Sequence, residues 1–383
     1  MSAPSKFTGL ILASGILTDD PTVLVLEALA PFSASVLSSD LMIVRDRFIY
    51  SLLIEMSPDH QEAIAVDLEK ITTAGAIDVA YEFTAFAPAP TDTSRTQHLV
   101  TLLASKISPS HLFDLHSIIN KHGAIAYLSI HTLQTSTITS YVIDCLPTDL
   151  TSLTNAINDY SELHNISSSI MPKNQKRFIP DALLLDMDST FINEEVIDIL
   201  ADLAGVGSLV SAITERAMQG ELDFAQALSE RVALFSGKSA SILDQARAKI
   251  TLTPGAKELV TAVKAAGGRV GIVSGGFHDV IDQFLAPLGL DLILANRFEI
   301  VNGTFTGKIS GPIVDREAKA KALTEFGSGS HRMIAIGDGA NDIAMLDVAD
   351  IGIAFCAKPA LAKVADIRIY VRDLQAVLPL IGY

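Results

Sequence analysis

The sequence predicts an α/β protein: a parallel sheet covered by helices on both faces, preceded by two small α+β units. Three observations carry this reading. Beyond about residue 181, short runs such as "ALLLDMD", "RVGIVSGG", "HRMIAIGDG" and "IGIAF" alternate with amphipathic segments. Strands that are apolar on both faces belong to parallel sheets buried on both sides. Upstream, one order of elements, β-α-β-β-α-β, can be read twice. Between about 191 and 253 the alternation gives way to a purely helical stretch.

The first unit spans residues 1–87. "FTGLILASG" reads as a strand and "PTVLVLEALAPF" as a helix with proline at its start. "DLMIVRDRFIYSLLIEM" is two strands joined around Arg45–Arg47, and "SPDHQEAIAVDLEKITTAG" is a helix running from a serine cap to Gly75. "IDVAYEFTAF" completes the unit. A linker rich in Pro, Thr and Ser covers 88–96. The same order then recurs over 97–172, in "HLVTLLAS", "SPSHLFDLHSIINKHG", "IAYLSIHTLQ", "TSYVIDCLP", "DLTSLTNAINDYSELH" and "NISSSIMP".

The polar "KNQKR" leads into a third region, 173–383. Its helical insertion, from "NEEVIDILADLAG" to "SASILDQARAKI", follows directly on the first strand. That position suits a cap, which can close over a site, exclude water and admit only small substrates. "IVNGTFTGKI" is a hairpin turning at Asn302–Gly303.

Composition excludes several classes. A length of 383 residues allows two or three domains with a sizeable core. The net charge of -16 argues against a nucleic-acid backbone binder, which needs a basic stripe. It leaves room for an anionic substrate, since a cation and a few basic groups reverse the local field. No uninterrupted apolar run is long enough for a bilayer, and the N-terminus lacks the pattern of a secretory signal. Cys145 and Cys356 stand far apart, which fits reduced thiols and a cytoplasmic location. None of the nine histidines sits in a Cys/His zinc pattern.

Chemistry concentrates where three strands end. The first runs into Asp186 and Asp188, the second into Ser274, Gly275 and Gly276, and the third into Asp338, Asn341 and Asp342. In a parallel sheet, ligands sit beyond the carboxyl ends of the strands. Clustered carboxylates and carbonyls are hard oxygen ligands, suited to Mg2+ rather than zinc or copper. A hydroxyl and glycine amides at a strand-to-helix turn make a phosphate cradle. Lys319, on the helix before the third strand, supplies a fixed positive charge, and a carboxylate in line with phosphorus can act as nucleophile.

These motifs, "DMDST", "SGG", Lys319 and "GDGAND", resemble those of the haloacid dehalogenase superfamily of phosphotransferases. More narrowly, "LLLDMDSTFINEEVID", "VSGGFHDV" with "LILANR", and "GDGANDIAMLDVADIGIAFCAKP" resemble the phosphoserine phosphatases, over about Asp181 to Asp373. The resemblance implies a Rossmann-like sheet with a helical cap and hydrolysis of O-phospho-L-serine, the last step of serine biosynthesis. It makes Asp186 the nucleophile and Asp188 the general acid, then base. Mg2+ falls to Asp186, the backbone carbonyl of Asp188, and Asp338, with Asp342 in support of the metal and Lys319. Ser274, Gly275 and Lys319 hold the phosphoryl oxygens, and Asn341 helps position the phosphoryl group or the substrate.

The resemblance also reassigns two residues whose spacing alone says little. Glu195, Asp198 and Asp202 lie at helical spacing and read as a solvated face, and Arg231 reads as a surface charge. In the family, the residue matching Glu195 contacts the substrate ammonium and that matching Arg231 its carboxylate. Met218 and Phe224 correspond to the apolar wall of the pocket.

The two leading units, ferredoxin-like in element order, resemble ACT domains. That implies a homodimer and an amino-acid effector, L-serine, near Gly15 and Asp20, although the second copy lacks the matching glycine. The same units read equally well as dimerisation modules without a ligand. Two further readings of the whole chain stand beside hydrolysis of phosphoserine. One is action on another small phosphomonoester or phosphoryl transfer to another acceptor; the other is an amino-acid-sensing regulatory protein. The intact set of Asp186, Asp188, Lys319 and Asp338 speaks against the last.

Overall fold

A computed structural model describes residues 6–17, 22–73, 77–86, 96–134, 138–173 and 180–381. The chain forms two compact units, Met1–Thr93 and Ser94–Tyr383.

The first unit contains β1 (Lys6–Ile16), α1 (Val23–Leu29), β2 (Ser35–Val44), β3 (Arg47–Glu55), α2 (Gln61–Thr73) and β4 (Asp78–Phe86). Its four strands lie in the order β2-β3-β1-β4, all neighbours antiparallel, which is the ferredoxin-like arrangement. Alternation along the strands sorts the side chains. Ile11, Ala13, Tyr50, Leu52 and Ile54 pack with Val25, Ile64 and Leu68 of the helices. Leu10, Leu12 and Ile49 fall on the other face and are exposed.

The second unit begins with the same topology: β5 (His98–Ala104), α3 (Pro109–His122), β6 (Gly123–Gln134), β7 (Thr139–Pro147), α4 (Leu150–His164) and β8 (Ser167–Pro172), in sheet order β8-β5-β7-β6. Ser108 caps α3 by accepting from the His111 amide, and Asp149 caps α4 by accepting from the Ser152 amide.

After β9 (Ala182–Asp186) come four cap helices: α5 (Val196–Ala204), α6 (Gly207–Met218), α7 (Phe224–Ala233) and α8 (Ile242–Arg247). The core resumes with α9 (Ala256–Ala265), β10 (Arg269–Phe277), α10 (His278–Leu285) and β11 (Leu292–Asn296). A two-stranded hairpin follows, β12 (Phe298–Val301) and β13 (Thr304–Ile309), turning at Asn302 and Gly303 with φ of 51° and 73°. Then come α11 (Arg316–Phe326), β14 (Met333–Gly337), α12 (Ile343–Asp347), β15 (Ile351–Phe355) and β16 (Ile367–Ile369).

Strands β11-β10-β9-β14-β15-β16 run parallel, and β8 continues the same sheet antiparallel to β16 through Arg368 opposite Ser168. The sequence reading separates the second α+β unit from the parallel sheet, whereas the structure joins them in one sheet of ten strands. They share a core too: Leu103 and Ile138 belong to the cluster that holds Leu374, Val377 and Leu380. An open strand edge needs cover, and β8 covers that of β16. No described helix is long and apolar enough to cross a membrane.

Candidate active site

The site follows from alternation along β9. Leu183 and Leu185 pack into the core that holds Leu259 and Val260 of α9, while Leu184 packs on the opposite face with Leu323 of α11. Asp186 falls two residues beyond Leu184, so the strand end aims its carboxylate at the α11 side. Lys319 lies one turn before Leu323 on the same helix face. Its Nζ donates to Asp186 Oδ1 and to Asp342 Oδ1, each at 2.7 Å. All three side chains are buried. Burial alone would depress the Lys319 pKa, but Asp186 and Asp342 outweigh it and hold the ammonium charged.

The third strand end supplies the other two carboxylates. A short turn, Ala340–Asp342, carries the chain back so that Asp342 Oδ2 accepts from the Asp338 and Gly339 amides at 3.2 and 3.1 Å. With Lys319 on its other oxygen, Asp342 is fully engaged within the protein. Asp186, Asp338 and Asp342 each bring one oxygen to within 4.8 Å of the others. Burial, then Asp342, pushes the Asp186 pKa well up against the pull of Lys319. Burial and Asp342 likewise raise Asp338 to about 6, opposed by Lys358 with its Nζ 4.0 Å away. Three carboxylates share one buried ammonium, which leaves an excess of negative charge that a hard divalent cation relieves. Both Asp342 oxygens are engaged within the protein, whereas Asp186 binds Lys319 through Oδ1.

The second strand end faces Asp188. A tight turn over Met187–Phe191 holds Asp188 with Oδ1 accepting from the Val196 amide at 2.8 Å and Oδ2 from Ser274 Oγ at 3.1 Å. Burial and the neighbouring Glu195 raise its pKa to about 7, against the Val196 and Ser274 bonds and Lys319. Ser274 Oγ in turn accepts from the Gly276 amide at 2.8 Å. Both glycines sit in close quarters. A Cβ on Gly275 would lie 2.9 Å from Phe224 Cζ, and one on Gly276 would lie 3.0 Å from Asp188 Oδ2.

Asn296 is a residue that sequence reasoning missed. Buried at the end of β11, its Nδ2 donates to Gly275 O and its Oδ1 accepts from Val314 N, both at 2.8 Å. It therefore braces the glycine turn. The available signal was an amide ending the apolar run "LILAN" beside the strand of "SGG".

The residues assigned to substrate recognition come from the cap. Glu195 is not inside a helix: it precedes α5 with extended backbone, φ -97° and ψ 111°. The helical-spacing argument that grouped it with Asp198 and Asp202 therefore fails for Glu195. Instead its Oε1 accepts from Ser189 Oγ at 2.8 Å, which sets it beside Asp188. Arg231 stands in the last turn of α7, its Nε donating to Ala227 O at 3.2 Å. Burial depresses its pKa, while Asp198, Glu195 and Asp188 favour the charge. Glu195 and Arg231, of opposite sign, thus both act on Asp188.

Asn341 is half-buried and sits so close over Gly339 that a Cβ there would strike its Oδ1. Phe224 closes over Gly275, whereas the Met218 side chain lies outside the described residues. Gly15 sits within β1, where a Cβ would meet Ile77 Cγ2 at 2.9 Å, and Asp20 lies outside the described residues. Direct bonds thus link Asp186, Lys319 and Asp342 in one group and Asp188 with Ser274 in another.

Residues 183–347 match the haloacid dehalogenase-like hydrolase family. The chain is 46% identical over 200 residues to phosphoserine phosphatase of Lactococcus lactis subsp. lactis, covering 51% of this chain and 93% of that protein. Among solved structures, a phospho-aspartyl intermediate analogue of phosphoserine phosphatase is 40% identical, with a TM-score of 0.50 over 52% of this chain and 98% of its own. The unliganded probable phosphoserine phosphatase from Vibrio cholerae is 29% identical, with a TM-score of 0.59 over 74% of this chain and 86% of its own. Identity at this level across nearly the whole of a relative places the chain in the phosphoserine phosphatase family of haloacid dehalogenase-like hydrolases.

Proposed function

We propose that this chain hydrolyses O-phospho-L-serine to L-serine and phosphate in the cytoplasm, as the last step of serine biosynthesis. The observation that carries the reading is the buried Asp186–Lys319–Asp342 chain, set at the strand ends with Asp188 and Ser274. An Asp186 oxygen attacks phosphorus, forming an aspartyl-phosphate as the bond to the serine oxygen breaks. Asp188 gives its proton to that leaving oxygen, then takes one from the water that cleaves the aspartyl-phosphate. A pKa of about 7 suits both tasks. Ser274, the Gly275 amide, Lys319 and Asn341 hold the phosphoryl oxygens.

Mg2+ is the metal whose preferences fit this set of oxygens. Asp186, Asp338 and the Asp188 carbonyl would hold it, with Asp342 in support, and when bound it offsets the charge of the carboxylates and of the phosphoryl group. Glu195 reads the ammonium of the substrate and Arg231 its carboxylate, for which the guanidinium offers a planar fork. We assign the first unit to dimerisation and to an L-serine site near the loop that follows Gly15. Its support is the bare sheet face of Leu10, Leu12 and Ile49.

Phosphate release from phosphoserine, phosphoethanolamine and phosphoglycolate, with Mg2+ and with chelator, tests the reading. Phosphoserine should be turned over best, and chelator should stop release until Mg2+ is restored. Equal kcat/KM for the three esters would sink the serine assignment. Release that persists in chelator would sink the metal.

A further inference from the structure

The chain leaves the core for the cap at Ser189–Glu195, a stretch that begins beside Asp188 and ends at Glu195. It is folded back on itself. Ser189 N donates to Glu194 O at 3.2 Å, and Ser189 Oγ to Glu195 Oε1 at 2.8 Å. Ser189 has φ of 55°, the left-handed region that residues with a Cβ rarely adopt. Local preference would not hold this turn.

One guanidinium from the core grips it. Arg372, just beyond β16, donates through Nε to Asn193 Oδ1 at 3.1 Å. Its Nη2 reaches Asn193 O at 3.3 Å and Ser189 O at 3.4 Å. The Asn193 amide in turn donates to Thr251 Oγ1 at 2.9 Å and Leu252 O at 3.1 Å, on the segment where the chain returns from the cap. Ile192 and Leu252 form a bridge between the two crossings. Arg372 thus fastens the outward crossing to the core, and through Asn193 it reaches the return crossing.

We infer that Arg372 is a positioning residue for substrate selectivity: it holds Ser189 in its strained conformation, and Ser189 Oγ holds Glu195 in place. The inference rests on the reading of Glu195 as the ammonium site. Arg372 touches no reacting atom; its effect passes through the turn to one carboxylate. Three acceptors around one planar fork suit arginine, and the single ammonium of lysine cannot reproduce them.

The test compares kcat/KM for O-phospho-L-serine and for p-nitrophenyl phosphate, an ester with neither ammonium nor carboxylate. Wild type, Arg372→Ala, Arg372→Lys, Glu195→Gln and the double variant Glu195→Gln with Arg372→Ala are measured in the full chain. In Arg372→Ala the preference for phosphoserine should fall about tenfold, carried mainly by KM. Arg372→Lys should shift it the same way, and carries the test if the alanine variant does not fold. Added to Glu195→Gln, the alanine change should alter the preference by less than about twofold, because both act through one carboxylate. A preserved preference with a lowered Tm would make Arg372 a structural brace and overturn the inference, as would full additivity in the double variant. If wild type shows no preference, or Glu195→Gln leaves it intact, the reading of Glu195 falls and the inference with it.

Discussion

At the C-terminal edge of the parallel sheet, neighbouring strands end in buried polar groups: Asp186 (held by Lys319), Ser274 (bonded to Asp188) and Asp338. The four-stranded sheet of the first unit presents the reverse. Its outer strand β2 is exposed at all ten positions, and Leu10, Leu12 and Ile49 lie bare on the face away from the helices. Buried charge is tolerated only when nearly every lone pair and proton has a partner, so the first edge admits few arrangements. Bare apolar surface is satisfied by any complementary cover, so the second constrains a partner far less. The first edge carries chemistry in its own atoms; the second carries a demand for contact.

Removing the charge of Asp186 tests that contrast most severely. Asp186→Asn keeps the shape but removes the charge that the proposed mechanism uses for attack and for holding the metal, so steady-state turnover should fall at least about a thousandfold. The variant also relieves the burial cost and the repulsion with Asp342 that push the Asp186 pKa up, while Lys319 keeps Asp342 as partner. Its Tm should therefore stay within a few degrees of wild type. Near-normal turnover would rule out the covalent route.

The cap should give an intermediate and substrate-dependent effect. Arg231→Ala should cost phosphoserine and phosphoglycolate about 2 kcal/mol or more in kcat/KM, and spare phosphoethanolamine, which lacks the carboxylate. Glu195→Gln should cost phosphoserine and phosphoethanolamine, and spare phosphoglycolate, which lacks the amine. Competition kinetics over this grid of two variants and three esters would expose a wrong assignment as losses that ignore the ester's charges.

The contrast also governs what was legible beforehand. The catalytic edge could be read because each strand spells its own ending: leucines on both faces of β9 and then Asp186, "VSGG" and "GDGAND". Such signals are local. Glu195 was not legible from periodicity, because it stands in extended backbone before α5 while Asp198 lies within the helix. Only the family resemblance assigned it to the substrate. Asn296 and Arg372 act on carbonyls distant in sequence, Gly275 in one case and Ser189 and Asn193 in the other, and no spacing rule reports such bonds. The strand pairing of β8 with β16 is one residue pair across about two hundred positions, supported by side-chain bonds equally distant in sequence, so no local signal pointed to the joint sheet.

That junction decides how the smallest expected effect should be measured, the response of the enzyme to L-serine. Cutting near Lys173 would strip β8 from β16 and remove Leu103 and Ile138 from the shared core, so lost activity there would say nothing about regulation. The fragment Ser94–Tyr383 follows the compact unit and keeps both. If the first unit pairs with that of a second copy, light scattering should find the full chain dimeric and the fragment monomeric. Coupling between an effector site and the catalytic site amounts to about 1–3 kcal/mol, so serine bound at the first unit should lower activity roughly fivefold or more. Serine is also the product and competes at the catalytic site in both proteins, so inhibition alone decides nothing. The full chain should show a component that substrate cannot overcome and a second serine site by calorimetry; the fragment should show competition and one site. Purely competitive inhibition with one site per chain in both proteins would leave the first unit as an assembly surface, and the bare face of Leu10, Leu12 and Ile49 would then be its whole function.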